Sequence, residues 1–273
     1  LIEAKEQNSF KKQAISFAIQ KAKGNWIVTT DADCRINKNW LSSLNSFSQS
    51  ENLKMIAAPV LFQNEKNGFE KMQSLDFCGL MGITAATLQL GFPTMCNGAN
   101  LAFEKKVFDE VGGYSNFENL ASGDDMFLMH KVFRKYPSSV KFLKSNDAVV
   151  STQAEKNLRS FFHQRLRWGS KSTSFTDKRI TMILVMAYLF NVSILVSALF
   201  ACFSFQSLLM FVFQIAVKMI FEFALISEVT SFFHKRNLLW WFLPAQLIHI
   251  FYILIVGVGG LLMKYEWKNR TVR

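Results

Sequence analysis

The sequence predicts an α/β domain with a mainly parallel sheet flanked by helices, followed by an amphipathic surface helix and about three membrane-crossing helices. Three observations lead there. Short β-favouring runs alternate with amphipathic stretches through the first half of the chain, the pattern of a sheet covered by helices. From Ile180 to Val217 there is not one Asp, Glu, Lys or Arg. A helix of that length would reach roughly 57 Å, nearly twice the hydrocarbon core, so the run must hold one crossing and the start of a second. Finally, the 273-residue chain is 50% hydrophobic yet has a formal charge of +11, which suits a membrane protein with basic cytoplasmic flanks.

The elements follow in order. Leu1 to Ala4 reads as a short strand, and the chain starts there without an initiator Met or signal peptide, so further residues are expected upstream. Ser9 to Lys23 reads as a helix, capped by Asn8 or Ser9, with Phe10, Ala14, Phe17 and Ala18 on its apolar face and Gly24 as its stop. Trp26 to Thr30 (WIVTT) is a continuous β-favouring run, expected to be a strand covered on both faces. Asn37 is the expected cap of a helix through Trp40, Leu41 and Leu44. Lys54 to Leu61 reads as one strand, Gly68 to Leu90 as a long helix, and Phe127 to Tyr136 as a helix stopped by Pro137. Two short strands are expected around Phe142 and Val149.

Beyond Lys178 the crossings are expected at about 180–203, 207–230 and 238–263, with a tight turn near Ser204-Phe205-Gln206. Pro244 interrupts the third run early, and Trp240, Trp241, Tyr265 and Trp267 stand at its ends as interfacial aromatics do. Basic clusters at Lys171/Lys178/Arg179, His234/Lys235/Arg236 and Lys264/Lys268/Arg270/Arg273 would all stay cytoplasmic under the positive-inside rule. Three crossings would put the last one outside, unless the Pro244 run is partly re-entrant or one segment lies in the interface. Lys218 and Glu222, four apart on the second crossing, can pair on one helix face.

Several classes are excluded. Apolar content this high rules out disorder. Four scattered Cys, with no CxxC pair, rule out a disulfide scaffold or zinc module and are expected to be reduced. The basic charge gathers at membrane edges and no recognition motif accompanies it, so nucleic acid is not an expected partner. The four His share no ligand spacing.

Three acidic or basic groupings could carry chemistry. Asp31-Ala32-Asp33 directly follows the WIVTT strand, at the strand end where open α/β sheets bind ligands. Two carboxylates there can hold a hard divalent cation and leave its other positions for phosphate oxygens, although a solvated turn would look the same. Gly123-Asp124-Asp125 precedes an amphipathic helix, so either Asp is a helix cap or a general base held near an acceptor hydroxyl. Gln164-Arg165-Leu166-Arg167-Trp168 lies on a basic aromatic helix before the first crossing. Such a helix should rest at the membrane surface, while Arg also offers a planar fork for a diphosphate and Trp a flat face for a sugar.

The segments KGNWIVTTDADC, CNGANLAFEKKVFDEVGGY, SGDDMFL, QRLRW and YEWKNR occur in that order, and together the chain resembles glycosyltransferase family 2. More narrowly it is similar to the membrane-bound branch with the QxxRW signature, which includes cellulose and hyaluronan synthases and ceramide glucosyltransferase. The resemblance implies a GT-A fold and inverting transfer from a nucleotide-diphosphate sugar, in this branch a UDP-sugar, with Mg2+ or Mn2+ as cofactor. By it, Asp31 and Asp33 match the DxD that contacts the metal and the donor diphosphate. Asp125 matches the general base, with Asp124 where the family usually has Glu. Gln164 and Arg167 fall to the diphosphate, Trp168 to the acceptor, and Cys96, Asn97, Gly98 and Asn100 to the acceptor-side loop.

The resemblance also implies a division into 1–155 as a partial GT-A domain, 156–179 as the interfacial helix and 180–273 as the membrane region. The family's first strands and base-reading acids would precede Leu1, so this piece alone is expected to be inactive. The expected setting is an integral membrane protein, of the bacterial inner membrane, with its catalytic domain cytoplasmic and membrane lipids around its helices. Three crossings are few for a polysaccharide tunnel, which favours a lipid-linked acceptor over a growing glycan. The competing readings are a processive polysaccharide synthase and a non-enzymatic scaffold with a decayed transferase domain.

Overall fold

The computed structural model describes residues 10–115, 123–172, 174–263, 265–267 and 270–272. These form a mixed α/β chain, and they divide into two compact units. The first comprises 1–64 and 80–153, the second 65–79 and 154–273. The expected strand at Leu1 to Ala4 lies outside the described residues.

The first unit contains α1 (Phe10–Lys21), β1 (Trp26–Thr29), β2 (Arg35–Ile36), α2 (Trp40–Ser50), β3 (Met55–Ala57) and β4 (Val60–Phe62). The second half of α3 (Gly68–Gln89) follows, then β5 (Leu101–Glu104), α4 (Lys105–Glu110), α5 (Asp124–Lys135), β6 (Val140–Phe142) and β7 (Val150–Thr152). The main sheet has the order β1-β5-β3-β6, and a smaller one the order β2-β7-β4. β1, β3 and β6 run in one direction, but β5 lies antiparallel between β1 and β3. The expectation of a mainly parallel sheet is corrected accordingly: only the β3–β6 ladder of this sheet is parallel. The apolar LAFE segment after the Asn97–Asn100 turn reads like any short buried run, and nothing in it announces its direction.

Alternation along the strands builds two cores, as a period of two demands. Met55, Ala57, Leu101 and Phe103 face Ile19, Leu128, Met129 and Val132. Ile56 and Ala102 face the other way, towards Trp40, Leu44 and Val150. β1 is an edge strand whose four residues are half-buried. Ile27 packs on the first core and Trp26 and Val28 on the second, so both faces are covered as expected.

Three local expectations change. The buried face of α1 is Ile15 and Ile19, while Phe17 is 49% exposed and Ala14 and Ala18 are exposed too. Two stripes of apolar residues were available on that helix, and the β-branched pair won the core. The residue preceding α2 is Asn39, and Asn37 instead accepts the Asn39 N–H at 3.2 Å. The single strand expected over Lys54 to Leu61 breaks at Pro59, which cannot donate to a ladder, and the chain passes there from the main sheet to the small one.

The second unit holds the first half of α3, α6 (Leu158–Gly169), α7 (Lys178–Phe200), α8 (Phe205–Phe232) and α9 (Phe242–Leu262). A 3-10 turn, Arg236–Trp241, leads into α9, and a short hairpin pairs β8 (Tyr265–Trp267) with β9 (Arg270–Val272). Three helices, Lys178–Phe200, Phe205–Phe232 and Arg236–Leu262, are long and apolar enough to cross a membrane. Ser204 caps the second of them through its side chain, which explains the turn there. Pro244 does not interrupt the third. It sits in the first turn of α9, where its missing N–H costs no intrahelical bond.

Lipid tails give apolar side chains no reason to leave lipid for each other, so such helices associate through close backbone approach and interhelical hydrogen bonds. Both devices are present. Gln214 of α8 accepts from Ser197 at 2.7 Å and donates to Ser193 at 3.0 Å, both on α7. Gly260 of α9 lies so near α6 that a Cβ there would sit 2.8 Å from the Gly169 carbonyl carbon. Gly260→Ala should therefore force the helices apart and lower the apparent melting temperature in detergent, at a cost of roughly 1–3 kcal/mol. Gly79→Ala in α3, whose new Cβ meets Ile226 only at 3.9 Å, should leave it unchanged or raised.

Candidate active site

In the first unit the candidate residues gather at the carboxyl end of β1. Thr29, the last residue of that strand, donates its hydroxyl to the Gly98 carbonyl at 2.7 Å. Gly98 belongs to a single 3-10 turn, Gly98–Asn100, capped by Asn97, whose side chain accepts the Ala99 N–H at 3.0 Å. The Gly98 N–H in turn donates to Asp125 Oδ2 at 2.6 Å. The other oxygen of that carboxylate, Oδ1, accepts from the Met126 N–H at 2.8 Å. A Cβ on Gly98 would lie 3.2 Å from Asp125 Oδ2, so a glycine is what allows the approach.

Asp124 and Asp125 occupy the first turn of α5 and are not its cap, which is Gly123 at φ +90°. Negative charge there is favoured by the helix dipole. The two acids differ in environment: Asp124 is buried, 8% exposed, while Asp125 is half-buried and turned to the Gly98 loop. Burial, with the Asp125 and Asp124 carboxylates adding to it, pushes the Cys96 thiol well above its ordinary range. The same causes push up the Tyr114 phenol. Cys96 packs against the first core with its thiol kept in the neutral form.

Asn100 has a different place from the rest of its loop. It is fully buried, its amide donates to Pro59 O at 2.8 Å and Ala148 O at 2.7 Å, and its oxygen accepts from Trp40 Nε1 at 3.0 Å. With its amide nitrogen and oxygen both engaged, it fixes the loop from behind.

Asp31 and Asp33 are exposed in the turn that follows β1, two and four residues past Thr29. No cluster of three or more His, Cys, Asp or Glu able to hold a metal ion exists among the described residues. Two exposed carboxylates on one turn nevertheless fit Mg2+ or Mn2+ held jointly with a substrate diphosphate, because such ions keep one or two carboxylates and complete their shell with phosphate and water. Cys34 beside them is a free thiol, pushed up by burial and by the Asp33 and Asp31 charges.

In the second unit, Asn157 caps α6 by accepting the Ser160 N–H at 2.9 Å. Gln164 donates to Glu155 Oε1 at 3.0 Å. Trp168 is half-buried against Phe77, their ring centroids 6.2 Å apart, and Arg167 is half-buried. The residue sequence reasoning does not single out is Arg165. It is 3% exposed, its Nη2 lies 2.6 Å from Asp76 Oδ2, and its guanidinium carbon is 4.5 Å from the Trp168 ring centroid. The available signal was helical spacing, since Phe161, Arg165 and Trp168 share one face. Thr29 gives no sequence signal at all.

The Lys218–Glu222 pair expected on α8 is present. It extends further, because Gln246 donates to Glu222 Oε2 at 2.6 Å and Lys218 Nζ lies 3.3 Å from His249 Nδ1. Replacing Asn100 by the similarly sized Leu should cost about 3–5 kcal/mol, since two carbonyls and an indole N–H lose their partners together. Denaturant unfolding followed by the fluorescence of the first unit should show the loss.

With this geometry in view, comparison with known proteins adds a family. No curated protein matches the chain. The model for glycosyl transferase family 21 matches residues 8–273, nearly the whole sequence. That narrows the resemblance to family 2 to a ceramide glucosyltransferase-like family of the same clan. The chain belongs to glycosyl transferase family 21.

Proposed function

We propose that this protein moves a sugar from a nucleotide-diphosphate donor, a UDP-sugar, to the hydroxyl of a lipid acceptor, with inversion at the anomeric carbon. The observation that carries the reading is the Asp125 carboxylate, fixed by the Gly98 and Met126 N–H groups in a chain of a glycosyl transferase family. Three helices able to cross a membrane support a lipid acceptor over a soluble one.

Asp125 is the general base. It takes the proton of the acceptor hydroxyl as that oxygen attacks the anomeric carbon, and the bond from that carbon to the diphosphate oxygen breaks on the opposite side. Two fixed backbone donors keep the carboxylate from wandering, which matters because this reaction depends on placing the base and the two substrates more than on covalent chemistry. Asp124, buried behind it, is a weaker choice. Asp31 and Asp33 would hold Mg2+ or Mn2+, which supplies charge neutralisation to the departing diphosphate. Asn97 and Gly98 border the acceptor, and Cys96 and Asn100 shape their loop. Gln164, Arg167 and Trp168 keep the donor and acceptor roles that the family resemblance gives them. The catalytic domain faces the cytoplasm, where nucleotide sugars are made.

Release of nucleoside diphosphate by the purified full-length protein, with lipid acceptor present, tests the assignment. Asp125→Asn should lower turnover about 10²–10⁴-fold at unchanged expression, and Asp33→Asn should abolish the response to added Mn2+. Undiminished turnover in both variants would reject the site. Absence of nucleotide binding by the wild type would favour the decayed scaffold.

A further inference from the structure

Arg165 sits between two signature residues, yet it does not resemble a phosphate ligand. Its side chain is 3% exposed, and its charge is answered by Asp76 at 2.6 Å. Its guanidinium is surrounded by the rings of Trp168 at 4.5 Å, Phe161 at 4.9 Å and Tyr252 at 5.8 Å. None of its three nitrogens makes a hydrogen bond among the described residues, the Asp76 contact being an ion pair alone, so aromatic faces stand where acceptor oxygens usually would. A buried ion pair is an expensive way to fill space, because apolar residues of equal volume are often as stable or more so. Such a pair needs another reason to be there.

Asp76 is itself held from the membrane helices. Tyr252 of α9 donates to its Oδ1 at 2.7 Å, and His249 Nε2 of the same helix stands 3.9 Å from that oxygen. His249 in turn meets Lys218 of α8, which pairs with Glu222. A line of polar side chains therefore runs from α8 and α9 through Asp76 to Arg165, joined to Asp76 by the Tyr252 hydrogen bond and by the 3.9 Å approach of His249, and it ends on the face of the Trp168 indole.

We infer that Arg165 is a positioning residue: held by Asp76 and the polar chain of α8 and α9, it sets the plane of Trp168. The inference rests on the proposed function in giving Trp168 its acceptor role. A guanidinium over one indole face adds a directional attraction to the packing that orients the ring. Lysine keeps the charge and the ion pair but not the plane.

The test uses the full-length protein in detergent and reads two quantities. The first is the near-UV circular dichroism of Trp168, taken as wild type minus Trp168→Phe. Arg165→Lys should change that signal with the melting temperature kept, and should lower kcat about ten- to a hundredfold while leaving KM for the donor unaltered. In a Trp168→Leu background the same substitution should have no further effect on kcat. An unchanged Trp168 signal, in Arg165→Lys or in the apolar double variant Arg165→Met/Asp76→Leu, would overturn the assignment whatever the turnover. A changed signal in a protein that transfers no sugar at all would leave the positioning intact and sink the proposed function instead.

Discussion

The hydrogen bond from the Gly98 N–H to the Asp125 carboxylate, 2.6 Å long, is the constraint on which the first unit is arranged. It exists only because three separate parts of the chain meet at one turn. Thr29 brings the end of β1, Asn97 closes the turn, and Asn100 locks it from beneath through Pro59, Ala148 and Trp40. Each of those contacts satisfies a polar group that would be costly to bury alone. A methyl group at Gly98 would sit 3.2 Å from Asp125 Oδ2, so the carboxylate would have to shift by a few tenths of an ångström to admit it. The exposed Asp31 and Asp33 inherit their position from the same joint, because they follow Thr29 without any intervening element.

The second unit is governed by a different physics. Its helices lie in an environment that does not reward burial of apolar surface, so their packing rests on small residues and on polar side chains. Gly169 against Gly260, Gln214 between two serines, and the chain from Lys218 to Asp76 are the visible means. Polar side chains in such helices are expensive and are placed facing one another. Here they also reach the helix that carries Gln164, Arg167 and Trp168.

Much of this was legible in the sequence, for reasons that differ by element. The charge-free run from Ile180 to Val217 is longer than any bilayer, and the three apolar helices follow from counting. WIVTT and the Gly68–Gln89 helix are set by strong local propensity and appear nearly as expected. β5 and the division at Pro59 were not legible, because strand direction and sheet membership are decided by partners far away in sequence. The choice of Ile15 and Ile19 over Phe17 was equally open, since helical period alone offers more than one stripe. At the site, residue types with charge could be listed beforehand. Thr29 and Arg165 could not be given their parts, since a hydroxyl to a backbone carbonyl and a cation on three rings are facts of packing.

The proposed function requires that a nucleoside diphosphate be held through a divalent cation at Asp31 and Asp33. Electron paramagnetic resonance of Mn2+ titrated into the full-length protein with and without UDP addresses it directly. The account predicts immobilised Mn2+ only when UDP is present, and loss of that signal in the Asp31→Asn/Asp33→Asn double variant. Free Mn2+ at all UDP concentrations, or binding that survives the double substitution, would contradict it.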